Sequence, residues 1–359
     1  MLTLVVSDLH LGALGATDVA SSPAHRERLL DALAGAERVV LLGDVVEERE
    51  RPVAPLLEVT RPFFEELGRA TAGRRLTVVP GNHDHTLADP WLERLRLQGA
   101  PLGAEHEWPV EPGDGVLGRI AARMPETEIT VAYPGLRLRP DVYATHGHYL
   151  DLHLTVPRLE SIAASAMGRV TGRGAAPASA ADYEAVMGPL YAFFAALAQG
   201  AATDALARGG SASRTVWRRV NGDGRLARVL LGRITIPGGV VALNRLGLGP
   251  FSAELTGEEL RRSGLLAMGR VADTLAAGAE HVVFGHTHRP GPLAGDEPAE
   301  WTTPSGMRLW NTGGWIFEGP FIGRAGARSA YWPGTVLVVT EDGPPRLENV
   351  LRDVALPAA

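Results

Sequence analysis

Six of the eleven histidines of this chain fall in short runs that mix them with aspartate, asparagine and glycine. The runs are Asp8-Leu9-His10, Gly43-Asp44, Gly81-Asn82-His83-Asp84, Thr145-His146-Gly147-His148 and Gly285-His286-Thr287-His288. Residues at i and i+2 of an extended segment point the same way, so Asp8 with His10, and His286 with His288, can each grip one ion. Together the runs offer two carboxylates, one amide and four imidazoles as ligands. Oxygen and neutral imidazole donors suit manganese, iron or zinc better than calcium. One carboxylate shared by two cations, with three further ligands for each, leaves a common open position. That is the composition of a two-metal hydrolytic site, with ions about 3.5–4 Å apart.

Something must bring five distant runs together, and the sequence suggests what. Each run follows a short β-branched or apolar stretch that reads as a strand: residues 2–6, 38–42, 76–79, 142–145 and 281–284. Further strands are predicted at 308–310 and 335–340. Ser22-Pro23 supplies an N-cap and an N1 proline for a helix reaching about residue 33, and Arg61-Pro62 is expected to open a second. The β-α-β-α-β rhythm indicates a layered α/β domain. In such sheets ligands gather beyond the carboxyl ends of the strands, where all five runs lie.

Composition narrows the chemistry. The chain has 359 residues, is 45% hydrophobic with a mean hydropathy of +0.01, and supports a sizeable core. It has no cysteine, which excludes disulfides, thiolate metal sites and cysteine nucleophiles. All 35 basic residues are arginine, which excludes a lysine Schiff base and a P-loop lysine. The apolar N-terminus has no basic flank and meets Asp8 too early for a signal peptide, so a cytoplasmic protein is expected.

Residues 154–278 are rich in Ala, Gly and Arg and read as mostly helical. Between Arg158 and Arg245 stand eleven arginines against five acidic residues, in a chain of net charge −6. Nineteen uncharged residues separate Glu184 from Asp204, close to a membrane span in length. Gly188-Pro189 and Gln199-Gly200 break that run, which favours a buried or interfacial helix.

The ordered set Asp8-x-His10, Gly43-Asp44, Gly81-Asn82-His83-Asp84, His146 and Gly285-His286-x-His288 resembles the calcineurin-like metallophosphoesterase superfamily. Ser7-Asp8-Leu9-His10-Leu11-Gly12 is most similar to bacterial UDP-2,3-diacylglucosamine pyrophosphatases and the exonuclease branch. Asn311-Thr312-Gly313-Gly314-Trp315 is similar to the turn that often follows the last histidine motif. The resemblance implies an α/β fold, a four-layer α-β-β-α sandwich with a large helical insertion. Residues 1–154 and 279–345 would form the core, 155–278 the insertion and 346–359 a C-terminal tail.

It also implies roles. Asp8, His10 and His288 would hold one divalent metal, and Asn82, His146 and His286 the other, with Asp44 bridging; Mn²⁺ is the expected ion. A hydroxide between the ions would attack phosphorus, with His83 as the acid and Asp84 orienting it. There are two departures. Glu48 stands where phosphoprotein phosphatases carry a phosphate-gripping arginine, which disfavours a phosphoprotein substrate. His148 replaces an aspartate of the pyrophosphatase branch and is read as a substrate contact or a support behind the ligands, or else as the ligand in place of His146, with His146 preferred. The leading expectation is a hydrolase of a small or lipid-linked phosphoester, with the insertion as a lid or a peripheral contact at the inner membrane face. Its apolar stretch, 186–197, and Arg208, Arg214, Arg218, Arg219, Arg225 and Arg228 would meet a hydrocarbon chain or an anionic surface. A metal-dependent DNA or RNA nuclease and a non-catalytic metal-binding scaffold are the alternatives.

Overall fold

The computed structural model describes residues 1–15, 17–172, 176–199, 236–252, 256–354 and 356. Its strands are β1 (Thr3–Val6), β2 (Arg38–Leu42), β3 (Arg75–Val79), β4 (Glu107–Pro109), β5 (Glu128–Ala132), β6 (Gly135–Arg139), β7 (Val142–Thr145), β8 (His281–Phe284), β9 (Arg308–Asn311), β10 (Thr335–Val339) and β11 (Arg346–Asn349). One sheet has the order β11-β10-β1-β2-β3-β5-β4, and the other β6-β7-β8-β9. β1, β2, β3 and β5 run parallel, as do β7, β8 and β9. Every ligand-bearing strand therefore delivers its carboxyl end to the same side of its sheet.

Side-chain alternation builds the layers. Val5, Val40, Leu42 and Val79 of the first sheet face Val142, Ala144 and Val283 of the second, closing the space between them. Their neighbours Leu4, Val6, Val39 and Leu41 face outward, against helices α1 (Pro23–Leu33) and α2 (Val53–Ala70). The outer face of the second sheet, with Tyr143, Val282 and Phe284, packs with residues of α6 (Ala180–Gln199) and α8 (Gly257–Leu275). A strand buried on both faces reads as an unbroken apolar run, which is why these strands were legible in sequence.

Several expectations change. The second helix begins at Val53, directly after Pro52, and carries Pro62 inside it. Its apolar residues Leu56, Leu57, Phe63, Phe64 and Leu67 are buried, and that packing outweighs the break a proline favours. The expected tail opens with β11, which pairs antiparallel with β10 as an edge strand. The described helices of the expected insertion, 155–278, pack on the core. Leu265, Met268, Val271 and Ala272 of α8, and Tyr183, Val186, Met187 and Tyr191 of α6, share one core with the second sheet. Only the last turns of the 186–197 stretch leave that core, with Phe193 57% exposed. Among the described residues no helix is long and apolar enough to cross a membrane. Arg208, Arg214, Arg218, Arg219, Arg225 and Arg228 lie outside the described residues.

Candidate metal centre

The loops beyond β1, β2, β3, β7 and β8 are tied to one another through their backbones. The N–H of Asp8 donates to Gly43 O at 3.0 Å, that of His10 to Asp44 O at 2.8 Å, and that of Gly285 to His146 O at 3.0 Å. The residues so held are strained. Among the described residues, those other than glycine with positive φ are Asp8, His10, Asp44, His286 and His288, between 45° and 67°. That region is costly for a side chain with a Cβ, and the cost persists only where surrounding contacts over-determine it. All five are ligands expected from the sequence. The glycines before them are needed for space. A Cβ on Gly43 would lie 2.2 Å from His146 Nδ1, and one on Gly81 would lie 2.3 Å from an Asp44 oxygen.

The side chains meet in two groups that share Asp44. In the first, His288 Nε2 lies 3.4 Å from Asp8 Oδ1. His10 Nε2 lies 3.2 Å from His288 Nε2 and 3.7 Å from Asp44 Oδ2. In the second, His146 Nε2 is 3.2 Å from Asp44 Oδ2 and 3.2 Å from Asn82 Oδ1, and His286 Nδ1 is 3.0 Å from Asn82 Oδ1. All but His288 are nearly inaccessible to solvent.

Each imidazole has its other nitrogen occupied. His10 Nδ1 meets Glu47 at 2.8 Å, His146 Nδ1 meets the Leu42 carbonyl at 2.9 Å, His286 Nε2 meets Asp151 at 3.0 Å, and His288 Nδ1 meets Glu318 at 3.0 Å. An acceptor at the far nitrogen fixes ring orientation and tautomer, and turns a lone pair toward the centre. Two imidazole nitrogens 3.2 Å apart with no acceptor between them need a cation or a shared proton. Burial alone would lower His146 and His288, but the surrounding carboxylates more than reverse it. Asp44 and Asp8 raise His146 to about 9; Glu318 and Asp8 raise His288 to about 10. Divalent cations would displace these protons, so the donor set fits two metals. Asp8, His10, His288 and Asp44 would hold one, and Asp44, Asn82, His146 and His286 the other.

The model of the calcineurin-like phosphoesterase family matches residues 1–167. That stretch is similar to the family. The match covers less than half of the chain and takes in every expected ligand except His286 and His288, which follow β8 outside it. No curated protein matches the chain. A dimetal phosphatase from Danio rerio is similar at 12% identity over 94% of this chain and 95% of that one, with a TM-score of 0.35; likeness of that degree carries no argument.

The site differs from expectation at two residues. Asp84 does not orient His83. Its carboxylate accepts backbone N–H groups of Gly81 at 2.7 Å, Val45 at 2.6 Å and Asp44 at 3.2 Å, and so fastens two ligand loops together. Glu47 orients His83 instead, with both oxygens 2.8 Å from Nδ1. His148 is not a substrate contact. It is 1% exposed, and its ring packs against those of Tyr149 and Tyr191, because the φ of 102° at Gly147 turns the chain inward after His146.

Sequence reasoning missed Glu47, Asp151 and Glu318. Glu47 left a trace, three residues beyond Asp44; the other two are placed by tertiary folding alone. Arg49 was also missed. Its Nε donates to the Asn82 carbonyl at 3.0 Å, and its guanidinium lies 4.9 Å from the Phe194 ring centroid and 5.8 Å from that of Tyr191. Glu184 of α6 accepts from Tyr133, Tyr149 and His85 at 2.6–2.9 Å, which joins α6 to the loops beside the site.

Asp151 offers a clean test of the outer carboxylates. Asp151→Ala is expected to weaken metal binding by about 10–100-fold, the usual cost of losing such a partner. Titration of the apo-protein with Mn²⁺ measures it. Unchanged affinity would mean that Asp151 does not support His286 as a ligand.

Proposed function

We propose that the chain hydrolyses a phosphate ester, diester or diphosphate with two divalent metals, of which Mn²⁺ suits the donors, and that its substrate is small or lipid-linked. The observation that carries this reading is the convergence of Asp8, His10, Asp44, Asn82, His146, His286 and His288 into two groups sharing one carboxylate. Bound divalent cations supply positive charge to the phosphoryl oxygens and acidify the attacking water. The chain's own residues do the rest. Glu47 accepts the Nδ1–H of His83 in a hydrogen bond and leaves Nε2 on the far side of the ring; in the imidazolium form the Nε2–H can pass to the departing oxygen, and the ring returns to the neutral Nδ1–H tautomer. Asp84 holds the two loops that set the distance between His83 and Asp44, whose Oδ1 accepts the His83 N–H at 2.8 Å.

The lipid-linked part of the reading is supported by the 155–250 segment. Val170, Phe193, Leu197, Val241 and Leu246 are among the exposed large hydrophobic residues, as a substrate carried at a membrane surface would require. Activity of the Mn²⁺-loaded protein toward a chromogenic phosphodiester and a long-chain alkyl phosphodiester tests both parts. Phe193→Ser with Leu197→Ser is expected to lower turnover of the long-chain ester several-fold and to spare the chromogenic one. Phe194 is left in place because it packs on Arg49. No hydrolysis of either ester would refute the function; equal loss on both would refute the lipid-linked part. Hydrolysis of DNA with steep salt dependence would favour a nuclease.

A further inference from the structure

A cleft opens beside the metal centre, between α8, the segment just before α5 (Leu159–Thr171) and the loop after β9. His286 and His288 line one end of it. Three arginines also line it: Arg158, Arg261 and Arg289. Two of them are already committed. Arg261 pairs with Asp296 at 3.1 Å and Glu300 at 2.8 Å, and Arg289 pairs with Asp296 at 2.6 Å. Arg158 is different. Among the described residues no carboxylate forms an ion pair with it within 4.0 Å; burial lowers its pKa, and the more distant Glu160, Asp151 and Glu318, the last also lining the cleft, more than offset that. Arg49, another cation near the centre, is held by Asn82 O, by Glu160 at 3.9 Å and by two aromatic rings; its NH2 nitrogen has no hydrogen-bond partner but is closed off from solvent. Apolar side chains also line the cleft, among them Leu154, Leu260, Leu265 and Phe321.

We infer that Arg158 grips the phosphate of the substrate, and that the apolar lining takes an apolar organic group esterified to it. This assignment rests on the hydrolytic reading above and names its substrate class. A guanidinium meets phosphate oxygens through a planar fork, a match that a point charge does not reproduce. Glu48, which stands where phosphoprotein phosphatases carry their arginine, is 1% exposed and engages Thr86, so that position offers no cation. Arg158, at the start of the inserted helices, would supply the charge from another part of the chain. The cleft joins a cation, two metal-facing histidines and an apolar lining, which suits an amphipathic phosphoester better than a free sugar phosphate.

The probe is orthophosphate, bound to Mn²⁺-loaded protein and followed by calorimetry. Arg158→Met is expected to raise its Kd by about tenfold or more, with two metals retained, and Arg158→Lys to fall between. Arg75→Met, on an exposed arginine at the far end of β3, controls for charge alone and should match wild type. Should Arg158→Met fail to fold, Arg158→Lys carries the test, with at least a threefold loss expected. Unchanged Kd in the folded variants overturns the assignment, as does a wild type that ignores millimolar orthophosphate. A wild type that binds phosphate through Arg158 yet hydrolyses no ester sinks the proposed function and leaves the anion site standing. For the apolar lining, Phe321→Ala should raise KM for a phenyl-bearing phosphodiester several-fold and leave that for a dimethyl diester alone. Equal KM shifts on both, or none, discard the apolar part.

Discussion

Asp44→Asn is expected to lower turnover by on the order of 10³-fold or more and to leave the purified protein with less than two metals per chain. The reason is geometric. Asp44 is the one carboxylate common to both donor groups, 3.2 Å from His146 and 3.7 Å from His10. Burial pushes its pKa up, but His146, His83 and His10 outweigh that and hold it well below the usual carboxylate range, so it is charged at any working pH. An amide in its place keeps shape and the His83 N–H contact but removes the charge that two cations would share. Metal content by atomic absorption and turnover on a chromogenic ester measure the two effects. A variant with two metals and near-normal turnover would show that Asp44 does not bridge.

His83→Ala should lose about 10²–10⁴-fold in turnover while keeping its metals. His83 is the most open imidazole of the centre, 26% exposed, with Glu47 at its Nδ1. Burial lowers its pKa, and Arg49 adds to that against the opposing pull of Glu47 and Asp44. A proton at Nε2 is then held loosely and readily given to a leaving oxygen. A substrate whose leaving group has a low pKa needs no such proton, so it should recover part of the lost rate. The competing possibility is concrete, because His83 also stands within ligand distance of His10 and Asp44. Metal lost from His83→Ala would make it a ligand and remove its role as acid.

How much of this was legible in the sequence follows from what each feature depends on. β7 and β8 were read at their observed bounds because both faces of each strand are buried and most of each segment is apolar. β4 and β11 were missed: they are edge strands of three and four residues with half-exposed side chains. β5 and β6, short and partly polar, were also not read. Pro62 misled because the penalty for a proline in a helix is local, whereas the burial that overrides it is tertiary.

The same division runs through the site. Asp8, His10, Asp44, Asn82, His83, His146, His286 and His288 were readable because each sits within four residues of a strand's carboxyl end. Glycine must precede several of them, where another ligand's side chain fills the space a Cβ would take. Local geometry therefore writes the inner ligands into short motifs. Asp151, Glu318 and Arg158 carry no such mark, and Glu47 only its place three residues beyond Asp44. Asp151 is 135 residues from the histidine it supports, and nothing in the chain near either one requires the other. Whether Asp84 orients His83 or fastens two loops also depends on which backbone N–H groups the fold brings to it. The reacting centre was determined by sequence because its constraints are local; what orients it, and what stands beside it to meet a substrate, was decided by the packing of two sheets and the helices that cover them.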